Sequence, residues 1–96
     1  MFLGFPLHPA GAPSVKRADH LDEVCLPMLF LQGTRDELAL PELIRPVCER
    51  LATRATLHFV EGADHGFSVL KRSGRTEVEV LEELSDTIMD WVGRLV

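Results

Sequence analysis

The sequence lacks any apolar stretch that approaches the roughly 20 residues needed by a membrane-spanning helix. Its apolar N-terminal segment, residues 1–7, contains no basic residue and is followed by no site of the kind at which a secretory signal peptide is cleaved. We therefore expect neither a signal peptide nor a membrane partner.

An excess of basic residues is also missing. Ten lysines and arginines stand against 15 aspartates and glutamates, and the net charge of −5 argues against nucleic acid as a partner. The only two cysteines, Cys25 and Cys48, have no second thiol or histidine at metal-ligand spacing. We expect two free thiols in a reducing, cytoplasmic compartment, with a disulfide as the alternative. No cofactor is expected.

The four histidines do not form a recognisable metal motif. No pair of them follows the His-x-x-x-His pattern, so the histidines give only weak support for a metal site. A small metal-binding protein is kept as an alternative hypothesis. His8 and His20 are predicted to lie in loops, and His58 to lie in a strand.

Internal repeats and low-complexity segments are absent as well. A chain of 96 residues can form at most one domain with one modest core. Its content of 46% apolar and 26% charged residues is typical of a globular protein.

What the sequence does contain is an apolar run within residues 26–36. Pro27 precedes four apolar residues, 28–31, and Gly33 follows them. Such a run is typical of a strand buried on both faces, as in a parallel sheet covered by helices. Functional residues in such sheets lie just beyond the carboxyl ends of the strands, and here that position contains Asp36.

A second strand-like run, residues 56–60, is followed by a loop that contains His65. Adjacent parallel strands end at the same edge of a sheet. We therefore predict that the side chains of Asp36 and His65 lie within hydrogen-bonding distance.

The remaining patterns predict an alternation of strands and helices. Strands are expected at residues 1–7, 25–32 and 56–60, and a helical turn near residues 20–24. Residues 41–52 contain Pro46, which predicts either a turn at 41–45 followed by a helix from about 46 to 52, or one kinked helix. The predicted fold class is α/β, with about three parallel strands flanked by helices.

Both longer helices have a predicted buried face. Apolar residues four apart, Leu43, Val47 and Leu51, would share one stripe. Thr76 and Glu79 have the spacing of a capping box, which starts the last helix. Its buried face is expected to contain Leu81, Leu84, Ile88, Trp91 or Val92, and Leu95.

A strand that ends in Gly-x-x-Asp, a helix, a strand that ends in Gly-x-x-His and a long last helix resemble the C-terminal third of an α/β-hydrolase. Four short segments are similar in sequence to one dienelactone-hydrolase-like branch, that of testis-expressed protein thirty and NSL-complex subunit three. They are residues 4–9 (GFPLHP), 30–36 (FLQGTRD), 64–67 (DHGF) and 71–76 (KRSGRT). The resemblance extends over essentially the whole chain. It implies a partial three-layer α/β-hydrolase fold in one domain, 1–96.

The same resemblance implies a catalytic role for two residues. Asp36 would be the acid and His65 the base of a Ser-His-Asp triad, which follow the serine in that order in this fold. The implied substrate is an ester, thioester or similar acyl compound. The non-catalytic alternatives are that Asp36 caps a turn and that His65 is hydrogen-bonded within its own loop.

The nucleophile that the resemblance calls for is missing. No serine occurs in Gly-x-Ser-x-Gly, and Ser68, which follows Gly66 at the right distance, has Leu70 in place of the second glycine. We therefore expect a C-terminal fragment of a serine hydrolase, inactive alone. The alternative is a non-catalytic interaction or oligomerisation module.

Two surface features complete the expectations. Residues 1–7 carry no charge that would discourage pairing at an open sheet edge, so we expect a homodimer or larger oligomer through this strand and the uncovered sheet face. Three cations within residues 71–75 precede the last helix. They form either a solvated loop offset by nearby glutamates or a site for a bound anion.

Overall fold

A computed structural model describes residues 1–95 and has the predicted α/β architecture. The strands are β1 (Phe2–Leu3), β2 (Met28–Gly33) and β3 (Ala55–Val60), and the α-helices are α1 (Pro41–Leu51) and α2 (Glu77–Leu95). Short 3-10 helices occupy Lys16–Glu23, Ala52–Arg54 and Lys71–Ser73. The first of these is longer and starts earlier than the predicted turn.

The three strands form one parallel sheet in the order β1-β2-β3. Phe30 of β2 pairs with Phe2 on one side and with Leu57 on the other. Every residue of β2 is buried, as the apolar run predicts, because helices cover both of its faces. Phe30 packs in the core with α1, whereas Leu29 and Leu31 pack against α2.

The first strand is much shorter than the predicted residues 1–7. Gly4 has a φ of +75°, a conformation that glycine adopts without steric cost, and there the chain leaves the sheet. Phe5 and Leu7 then turn into the core, where the Phe5 ring packs edge-on against Phe2 and Phe30. The prediction that these residues border an open edge is therefore wrong for Phe5 and Leu7.

Residues 41–51 form one helix, the second of the two predicted alternatives. Pro41 stands at its start, where a missing backbone N–H costs nothing, and Pro46 lies inside it on the exposed side. Val47 and Leu51 are buried as predicted, and Leu43 packs against the same core.

The capping box of α2 is confirmed by two reciprocal hydrogen bonds. Thr76 N donates to Glu79 Oε1 at 3.0 Å, and Glu79 N donates to Thr76 Oγ1 at 3.2 Å. The predicted buried face is correct for Leu84 but wrong for Leu81, which is exposed because the helix turns Val80 toward the sheet instead.

Further along α2, Ile88 and Trp91 pack partly against the core, whereas Val92 and Leu95 are exposed. The prediction for Leu95 is therefore wrong. No helix within residues 1–95 is both long enough and apolar enough to cross a membrane.

Candidate active site

The loops that follow β2 and β3 are joined by hydrogen bonds at the carboxyl edge of the sheet. Thr34 N donates to Val60 O at 3.2 Å, and Arg35 N donates to Ala63 O at 2.8 Å. Gly33 allows this close approach, because a Cβ atom at position 33 would overlap the carbonyl group of Ala63. The two loops therefore have one fixed relative position.

Asp36 lies at the end of the first loop, and its side chain is fully buried. Its Oδ1 accepts a hydrogen bond from Leu38 N at 2.8 Å, which closes a turn of the kind that aspartate often forms. Its Oδ2 faces His65. The turn-capping role and the contact with His65 are thus both present, one on each carboxylate oxygen.

His65 follows β3, and its Nδ1 lies 2.9 Å from Asp36 Oδ2. The predicted proximity of these two side chains is confirmed. The imidazole is 38% exposed while its carboxylate partner is buried, so one side of the ring remains accessible. The alternative in which His65 bonds only within its own loop is wrong.

The loop around His65 is shaped by its neighbour Asp64. Asp64 Oδ1 accepts hydrogen bonds from Gly66 N at 3.0 Å and from Ser68 N at 2.9 Å. Phe67 has a φ of +64°, which costs a non-glycine residue about 1–2 kcal/mol. Phe67 is held there by packing against the α2 core and by a hydrogen bond from its N–H to Asp64 O. Strain of this kind often marks a functional site.

This arrangement suits acid–base chemistry. A carboxylate at Nδ1 fixes the tautomer in which Nδ1 carries the proton, and it stabilises the imidazolium that forms when Nε2 takes a second one. An open cleft of about 270 Å³ adjoins the imidazole and is lined by Ala10, Arg35, Glu37, Leu38, Asp64 and His65. A small group could therefore reach His65 from solvent.

The four serines are exposed or have hydroxyls bonded to neighbouring backbone atoms. Ser73 Oγ donates to Leu70 O at 2.6 Å, and Ser85 lies on the exposed side of α2. Ser68 is exposed and joins the site through its backbone N–H. Among the hydrogen bonds of residues 1–95, none connects a serine hydroxyl to His65.

Two other histidines have partners of their own. His58 Nε2 lies 2.6 Å from Glu83 Oε2, which connects β3 to α2. His8 is buried in the loop predicted for it and contacts the Asp36 loop. Within the described residues, no cluster of three or more potential ligands could hold a metal ion. Both cysteines are free thiols, Cys25 exposed and Cys48 buried.

Arg75, the last cation of the basic segment before α2, is held by one glutamate side chain and one main-chain oxygen. Arg75 donates to Glu61 O at 2.9 Å and also pairs with Glu83. Together with the capping box, these contacts favour the solvated-loop interpretation over the anion site.

Sequence reasoning missed two residues that touch the site. Gly4 packs against the His65 ring, and His8 binds the loop after Asp36. Both belong to the GFPLHP segment. The resemblance of that segment to the hydrolase branch was the only feature of the sequence that pointed to them.

Comparison with known proteins supplies the family context. Residues 1–93 match the family model described as "Alpha/beta hydrolase domain". No solved structure matches the chain.

Proposed function

Since the chain belongs to the alpha/beta hydrolase family, we propose that Asp36 and His65 are the acid and the base of a serine-hydrolase triad. The observation that carries this proposal is the 2.9 Å contact between His65 Nδ1 and the buried Asp36 carboxylate, at the edge of the sheet beside an open cleft. The bond to be cleaved is an ester, thioester or similar acyl bond. In this proposal residues 1–96 form the C-terminal portion of the α/β-hydrolase fold of a hydrolase. That hydrolase is related to testis-expressed protein thirty and NSL-complex subunit three.

In this proposal each residue has a defined task. His65 Nε2 removes the proton from a serine hydroxyl as the hydroxyl oxygen attacks the acyl carbon, and it then returns the proton to the leaving group. Asp36 keeps the imidazole in the correct tautomer and stabilises its positive charge. The sequence has no serine in Gly-x-Ser-x-Gly, so the nucleophile comes from a polypeptide segment outside these 96 residues.

The isolated chain should consequently show no triad catalysis. With p-nitrophenyl acetate as substrate, we expect His65→Ala to lower the wild-type rate by no more than the loss of one exposed imidazole, since solvent-exposed imidazoles and thiols account for the slow background. His20→Ala, which removes an exposed histidine, is the matched control. A wild-type rate that both His65→Ala and Ser68→Ala abolish would contradict this expectation and identify Ser68 as an unconventional nucleophile.

The acid–base role itself is tested by adding the nucleophile. If the DNA upstream of codon 1 encodes a Gly-x-Ser-x-Gly segment, that segment co-expressed with this chain should hydrolyse p-nitrophenyl acetate and react with a fluorophosphonate probe. Asp36→Asn and His65→Ala should lower the rate by several orders of magnitude, whereas His20→Ala should not. Hydrolysis that survives His65→Ala would refute the proposal.

A second candidate function is that of a non-catalytic oligomerisation module. In this case the chain binds a second copy of itself. Met1 and Leu3 are 57% and 56% exposed, and β1 is an edge strand paired only with β2. Two such edges can pair around a two-fold axis, which is the commonest way to close an exposed surface. A nucleophile-bearing segment would use the same edge, so the two candidates compete for one surface.

A further inference from the structure

The segment that follows β1 is fixed to β2 and to the Asp36 loop at several points. Gly4 N donates to Leu31 O at 2.9 Å, and Phe5 N donates to the buried Gln32 side chain at 2.6 Å. Leu7 is fully buried. These contacts bring the next residue, His8, to a defined place beside the loop between β2 and α1.

His8 is 1% exposed and uses both of its ring nitrogens in hydrogen bonds. Nε2 accepts a hydrogen bond from Leu40 N at 3.2 Å, and Nδ1 donates to Pro9 O at 2.9 Å. This pattern needs the neutral imidazole, which offers one donor and one acceptor on a rigid ring. The main chain adds a third contact, in which His8 N donates to Leu38 O at 2.9 Å.

These contacts enclose the residues that hold Asp36. Leu38 receives a hydrogen bond from His8 on its carbonyl group and donates its own N–H to Asp36 Oδ1. The second oxygen of the same carboxylate contacts His65. His8 is thus connected to His65 through the 38–40 loop and Asp36, and it is not among the residues that line the cleft beside His65.

We propose that His8 is a positioning residue, which holds the 38–40 loop so that the Asp36 carboxylate stays aligned with His65 Nδ1. The importance of His8 for catalysis rests on the proposed function. The effect of His8 on the alignment of Asp36 with His65 does not depend on that function. Removing the imidazole leaves the Leu40 N–H and the Pro9 carbonyl group without their buried partner, so the loop relaxes and the carboxylate with it.

The test is the hydrogen bond itself. In ¹⁵N-labelled protein, the His65 Nδ1–H signal is identified by its disappearance in His65→Gln, and its exchange with water is then measured. We expect exchange to rise about tenfold in His8→Phe, the factor that corresponds to a loss of about 1.4 kcal/mol. His8→Gln, which keeps a donor and an acceptor, should restore part of the protection. His20→Phe, the same change at an exposed position, should have no effect.

A second variant reaches the same contact from the other side. Leu40→Pro removes the N–H that donates the hydrogen bond to His8 Nε2. Residue 40 already has a φ of −56°, which is within the range of proline. Exchange should rise in this variant as in His8→Phe. Unchanged exchange in either folded variant would overturn the proposal, and loss of folding in both would assign His8 a purely structural role. Because ester hydrolysis is not the readout, failure here and failure of the proposed function are distinguishable.

Discussion

Gly4 lies directly against the imidazole of His65. A Cβ atom built at position 4 would come within 3.3 Å of His65 Cε1 and 3.1 Å of His65 O. The residue that follows β1 therefore sets how closely the chain can approach the candidate base. This contact gives the glycine a role beyond ending the strand.

Gly4→Ala should consequently disturb His65 more than it disturbs the fold. The positive φ of +75° costs alanine about 1–2 kcal/mol, and the methyl group must push the imidazole by a few tenths of an ångström. Gly11→Ala is the matched control, because Gly11 has a φ of +76° and nothing within 4 Å of a Cβ. Both variants should lose stability in urea through the positive φ, Gly4→Ala more because of the added contact, and only Gly4→Ala should shift the ring NMR signals of His65. Equal ring signals in both would contradict the contact.

A second prediction concerns Glu83 and pH. Burial alone raises the pKa of Glu83, but hydrogen bonds and charge attraction from His58 and Arg75 outweigh it and bring the pKa below its ordinary value of 4.5. A carboxylate with a lowered pKa in the folded state stabilises the protein above the pKa of the unfolded state. That contribution is lost as the pH falls through the folded-state pKa.

The free energy of unfolding should therefore differ most between wild type and Glu83→Gln above pH 4.5, and the difference should shrink at lower pH. Urea titrations from pH 3 to pH 7 measure it. Glu82→Gln, one residue away on the exposed side of α2, should show a smaller pH-dependent difference. A Glu83→Gln difference that does not depend on pH would contradict the ionic role.

The two thiols should react at very different rates. Burial raises the pKa of Cys48 to about 11, so only about a thousandth of this thiol is ionised at pH 8. Cys25 is exposed. With a chromogenic disulfide reagent at pH 8, we expect one rapidly reacting thiol in the native protein and two in urea. Cys25→Ser should leave no rapid reaction, and two rapid thiols in the native protein would show that Cys48 is accessible.

Self-association should depend on Leu3 rather than on Phe5. Phe5 is a core residue, so Phe5→Lys would unfold the chain instead of testing an interface. Leu3→Lys places a charge on the exposed face of β1 and should lower the mass measured by light scattering over a dilution series. Leu26→Lys, at another exposed leucine, should leave the mass unchanged. A wild-type monomer at micromolar concentration would refute the oligomer.

Local patterns were sufficient to predict much of the architecture. The apolar run before Gly33 identifies the central strand, because a short unbroken apolar run bounded by Pro27 and Gly33 is typical of a strand covered on both faces. The Thr76–Glu79 pair fixes the start of α2, because both partners of a capping box lie within one turn. The proximity of Asp36 and His65 follows from the alternation of strands and helices, which brings successive strand ends to one edge.

Only the tertiary structure decided how distant segments meet. The sequence by itself determined that α2 has an apolar stripe, but packing against the sheet decided that Val80 faces inward and Leu81 outward, since both fit a helical period. Likewise, no local pattern joins His8 to residues 38–40 or Gly4 to the His65 ring. Those contacts connect positions about 30 and 60 residues apart, and they form where a positive φ at Gly4 turns the chain into the core instead of continuing the strand.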